Sequence, residues 1–101
     1  LVMWTGEFGR TVKIQAKGGR DHWPGLGTLV FSGGGMPMGQ VIGASEKLHN
    51  IPKDEPYKLE HLTGTLLHTI FDMGKLRLAD GIPNDLMQFA TGARGIPELV
   101  G

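Results

Sequence analysis

The 101-residue sequence contains no cysteine. That excludes disulfides and thiolate metal sites, and leaves the compartment open, because exported proteins can also lack cysteine. Long hydrophobic runs are missing too: nothing approaches the ~20 apolar residues that a bilayer-spanning helix needs. Excess charge of either sign is absent, since ten Lys and Arg balance ten Asp and Glu. With no basic stripe and no acidic tail, electrostatics give no reason to expect nucleic acid or a membrane surface as partner. Hydrophobic residues at 40% and charged residues at 20% are both slightly sparse for a compact globule. A domain this small buries only roughly 60–70% of its unfolded surface, so a modest core is expected.

What is abundant is glycine. Eleven of the 17 glycines precede Ala44, so the first half is dense in turns that disfavour side chains. Leu1-Val2-Met3-Trp4 is an apolar run stopped by Thr5-Gly6 and reads as a buried strand. Gly6 to Gly27 is a long, polar, glycine-rich connection, and loops of that length are usually functional or disordered. Trp23-Pro24 in its middle argues for order, because a large aromatic seeks burial. Thr28 to Ser32 is apolar at successive positions, which fits a strand covered on both faces in an α/β sheet. Gly33-Gly34-Gly35 ends it, and Gln40 to Gly43 reads as a short edge strand.

Ala44 to Glu55 is a polar connection, after which Pro56 opens a helix. Leu59, Leu62, Leu66, Ile70 and Met73 recur at steps of three and four, with Leu67 and Phe71 widening the stripe. Gly74 is placed to end this helix. Gly64 inside it costs about 1 kcal/mol relative to Ala, which close packing against a sheet would explain. Arg77 to Gly101 carries no firm element. The apolar start, with neither an initiator Met nor a secretory signal, reads as the C-terminal fragment of a larger protein, the alternative being a trimmed domain boundary. Alone, the chain is expected to be marginal and prone to aggregate through strand edges.

The chemistry-bearing residues cluster after the first strand. Ligands in open α/β sheets sit beyond the carboxyl ends of strands, and Glu7 lies there. Its carboxylate is a hard donor for a divalent metal, and Asp21-His22 offers an oxygen and an imidazole side by side, a mix suited to zinc, manganese or iron. Neighbours in an extended loop point apart, so one of that pair is expected to bind and the other to orient it or bind a second ion. Arg10 and Arg20 have the chemistry to clamp an oxyanion bidentately. Each group also has a plain structural reading: Glu7 as a solvated carboxylate or a partner of Arg10, and Asp21-His22 as a loop hydrogen-bond pair. Gly33 to Gly39 lacks the Gly-Lys-Ser/Thr ending of a phosphate loop and reads as a turn. His61 and His68 lie two helical turns apart, roughly 10 Å, too far to share a metal. No serine sits on a nucleophile elbow.

Gly6-Glu7-Phe8-Gly9-Arg10-Thr11 and Gly19-Arg20-Asp21-His22-Trp23-Pro24, with Gly33-Gly34-Gly35 and Gly39 to Ser45, resemble a known family. It is the domain of unknown function 1501 family, sulfatase-like proteins of the alkaline phosphatase superfamily. Leu62 to Gly74, including His68, is similar to that family's last long helix. The family often has proline where Val12 stands, which bears on loop shape. The resemblance implies an α/β fold, the C-terminal part of an alkaline-phosphatase-like three-layer sandwich, with residues 1–101 a single partial domain, the C-terminal portion of a larger α/β hydrolase-type domain. It implies a metal-dependent ester hydrolase using one or two divalent ions, zinc foremost, with the nucleophile upstream and so no catalytic residue in this stretch. By position, Glu7 and His22 resemble late ligands of that superfamily, with Asp21 beside them. The implied partners are a small-molecule or glycan sulfate or phosphate ester and the upstream part of the same domain. The implied location is exported or periplasmic, and this stretch alone is expected to be inactive. The alternative is a non-catalytic glycan- or partner-binding module on the same fold.

Overall fold

The computed structural model describes residues 1–101 and is mixed α/β, with short strands and four helices. The strands are β1 (Val2–Thr5), β2 (Gly9–Arg10), β3 (His22–Trp23) and β4 (Leu29–Ser32). The helices are α1 (Leu59–Ile70), α2 (Met73–Arg77), α3 (Asn84–Gly92) and α4 (Pro97–Val100). The chain divides into two compact units. One holds Val2–Ser32 and Gln40–Pro56; the other holds Leu1, Gly33–Gly39 and Tyr57–Gly101.

In the strand-bearing unit, β1 pairs antiparallel with β4, Val2 opposite Ser32 and Thr5 opposite Leu29. The two apolar runs thus satisfy each other's backbone groups. They are not covered on both faces, as their continuous apolarity suggested. Trp4 is 78% exposed and Val30 59%, and only Phe31 of β4 is half-buried. The long Gly6–Gly27 connection is not irregular throughout: β2 and β3 pair antiparallel within it, Gly9 opposite Trp23 and Arg10 opposite His22. Two-residue strands leave no periodicity to read, which is why the pattern hid them. The edge strand expected at Gln40–Gly43 is absent. The pairing falls later instead, at a bridge between Ser45 and Pro52. The Glu46 carboxylate caps that turn by accepting from the Leu48 N–H at 2.9 Å.

In the helical unit, α1 starts three residues later than Pro56 suggests, with the Lys58 N–H donating to His61 Nδ1 at 3.0 Å. It ends at Ile70, because Phe71 is extended and the Asp72 side chain accepts from the Lys75 N–H to cap a new helix. Met73 therefore leaves the stripe and Gly74 lies inside α2 rather than ending α1. Leu62, Leu66 and Leu67 are half-buried, while Leu59 and Ile70 at the ends stay exposed. The C-terminal stretch, unassigned from sequence, forms α3 and α4.

The best-buried point of this unit is Thr65, fully enclosed. Its hydroxyl donates to the His61 carbonyl at 2.7 Å and accepts from the Ile96 N–H at 2.8 Å. A Cβ on Gly64 would collide with the Arg94 carbonyl and Gly95 N. The close approach that Gly64 permits is to the loop before α4, not to a sheet. His68 Nε2 lies 3.1 Å from the Ala93 carbonyl, so this histidine also serves packing. Met36, Ala90 and Ile96 are the buried apolar side chains.

Candidate functional site

Of the candidate residues, Arg10 and His22 lie on the β2–β3 ladder, and Glu7, Arg20 and Asp21 lie beside it in sequence. Gly9 is there because backbone passes close: a Cβ at this position would collide with the Leu26 carbonyl. The ladder continues past its strands, the Thr11 N–H donating to the Asp21 carbonyl at 3.0 Å and the Asp21 N–H to Thr11 Oγ1 at 3.1 Å. On β3, the Trp23 indole N–H donates to the Asn50 carbonyl, tying the ladder to the capped turn that follows Ser45. Trp23 is half-buried, as its placement in the loop led us to expect.

Register decides which side chains share a face. Arg10 lies directly opposite His22. The Phe8 ring stacks on the His22 imidazole, with centroids 4.0 Å apart and planes 30° apart, and the Arg10 guanidinium carbon lies 5.5 Å from the Phe8 centroid. Arg10 Nη1 also donates to the Arg20 carbonyl at 3.3 Å. The contact from Arg20 is thus its backbone; its side chain is exposed. The Asp21 carboxylate accepts from the Gln15 amide. Glu7 is exposed, and none of these contacts includes it.

The hairpin therefore gathers Arg10 and His22 closely, brings the Arg20 backbone to them, and gives Asp21 different partners from His22. Nowhere in the chain do three His, Asp or Glu side chains converge as a metal-holding group. Glu7, Asp21 and His22 are thus not gathered into one three-ligand group within this stretch, and an open catalytic metal site takes about three protein ligands. Phe8 is the member that reading by residue chemistry passed over. Its signal was the step of two from Phe8 to Arg10, which puts both on one face of any strand there.

No helix is long and apolar enough to cross a membrane. Neither the curated proteins nor the solved structures yield a match to this chain. A family model described as a protein of unknown function (DUF1501) matches residues 1–94, and the chain belongs to that family.

Proposed function

We propose that the chain is part of a sulfatase- or phosphatase-like ester hydrolase, seated in a larger alkaline-phosphatase-like sandwich and exported. The observation that carries this reading is the β2–β3 ladder, which sets Arg10 directly across from His22 on a glycine-bearing hairpin. Arg10 and Arg20 are the residues proposed to hold the ester's oxyanion. A guanidinium suits the task because its planar N–H fork matches a tetrahedral oxyanion's edge. Donors of this kind accelerate ester cleavage when they are already aimed at the charge that develops.

A divalent ion, zinc foremost, belongs to this proposal only as a shared centre. Glu7, Asp21 and His22 would hold it together with donors from elsewhere in the protein, and it would supply Lewis-acid stabilisation of the ester's negative charge. The second reading, a glycan- or partner-binding module without turnover, needs only the exposed Arg10 and His22 on one face of the hairpin.

Hydrolysis of aryl sulfates and aryl phosphates by the full-length protein, alongside retention on a sulfated-glycan column, separates the two. Turnover that falls in Arg10→Ala supports the hydrolase. Retention without turnover of any ester replaces it with the binding module.

A further inference from the structure

The hairpin sorts the site by charge. Side chains alternate between the faces of an antiparallel pair. His22 and Arg10 share one face as a direct cross-strand pair, with Phe8 beside them. Alternation sends Asp21 to the opposite face, where its carboxylate is engaged by Gln15. The result is a small exposed surface with a guanidinium, an imidazole and an aromatic ring, and no carboxylate among its contacts.

We propose that this face is an oxyanion-binding surface whose contacts are Arg10 and His22 and whose organising residue is Phe8, so that His22 faces a sulfate or phosphate group instead of a cation shared with Glu7 and Asp21. The inference rests on the functional reading above only for the class of ligand. A guanidinium and an imidazole N–H on one strand face both donate, and a sulfate or phosphate oxygen accepts from either. The Phe8 ring holds both meanwhile, its negative face attracting the guanidinium and its plane stacking the imidazole. Donors already held in place lose less freedom on binding than free side chains do. Anchored by one nitrogen to the Arg20 carbonyl, the guanidinium keeps its other N–H groups for a ligand.

The test titrates inorganic sulfate, and separately phenyl sulfate, into isotope-labelled protein while the His22 ring and Arg10 Nε resonances are followed at one fixed pH. The two sets should move together and saturate, while the Gln15 amide stays still. Inorganic sulfate acting as well as the ester assigns the face to a free oxyanion; a response to the ester alone assigns it to a bound ester group. Phe8→Leu should weaken binding about 2- to 5-fold, the loss of one exposed cation–π contact, and Phe8→Tyr should restore it. Should Phe8→Leu not fold, Arg10→Gln carries the same test, and the His22 response to sulfate should disappear. Wild-type affinity in Phe8→Leu, or shifts spread evenly over the lysines and arginines, overturns the proposal. So does zinc moving Glu7, Asp21 and His22 together. Sulfate binding that persists where no ester is turned over removes the hydrolase reading and leaves this face standing.

Discussion

At the scale of single residues, Thr65 carries more of the helical unit than its size suggests. One hydroxyl both closes onto α1 and satisfies the Ile96 N–H, the backbone donor next to α4. Thr65→Val keeps the shape and orphans that buried donor, so a loss of about 1–3 kcal/mol is expected in chemical denaturation. Thr65→Ser, which keeps the hydroxyl, should lose clearly less; equal losses would locate the effect in the methyl group. Tyr57 offers a pH-dependent counterpart. Its hydroxyl donates to Glu98 Oε2 at 2.8 Å. That bond first, then desolvation and the Glu98 charge, raises its pKa above the ordinary 10.0. A proton held more tightly in the folded state gives stability that is complete below the unfolded pKa and is lost as pH rises through the folded one. Tyr57→Phe should therefore melt below wild type at neutral pH, with the gap closing as pH rises beyond 10.0. A gap that stays constant across that range would contradict the bond's role.

At the scale of elements, α1 shows two opposing effects with a decidable winner. Gly64→Ala gains about 1 kcal/mol of helix propensity. The added Cβ meets backbone of Arg94 and Gly95, which cannot rotate away, and forced overpacking costs about 1–3 kcal/mol or more. A lower melting temperature is expected; a higher one would mean that the loop before α4 yields easily. The same helix shows what the sequence discloses and what it hides. Its stripe at Leu62, Leu66 and Leu67 is visible because helical periodicity is a property of many residues at once. Its end is not, since Met73 fits the stripe by spacing while Asp72, one residue earlier, caps a separate helix. Runs of apolar residues likewise announce β1 and β4 but not their exposure, which depends on neighbours that a run cannot name. The β2–β3 ladder is set by a close backbone approach at Gly9 and by the Trp23 anchor, both long-range facts. The site residues Glu7, Arg10, Arg20, Asp21 and His22 are legible as chemistry, whereas their division between faces needs the register.

At the scale of the whole chain, the burial is uneven. Met36, Ala90 and Ile96, the buried apolar side chains, all belong to the helical unit. The unit with the strands is held by backbone ladders and by Trp23, and leaves Val2, Trp4 and Val30 exposed on a two-stranded ribbon. Such ribbons are marginal alone, and open apolar edges invite pairing with other chains. Trp4→Lys combined with Val30→Lys should lower the self-association of the purified chain in sedimentation, because edge charges oppose strand addition. Unchanged association would place the sticky surface elsewhere. A sharp, cooperative melt of the monomeric chain would also contradict this picture of marginal stability.

The functional account turns on whether the hairpin face takes part in ester chemistry. The most direct measurement is the rate of aryl sulfate and aryl phosphate hydrolysis by the full-length protein and by its His22→Ala variant, both confirmed folded. The account predicts turnover by the wild type and a fall of at least about 100-fold in the variant, the size expected for losing one preorganised contact to the developing charge. Equal rates in the two proteins, or no turnover by the wild type, would contradict it.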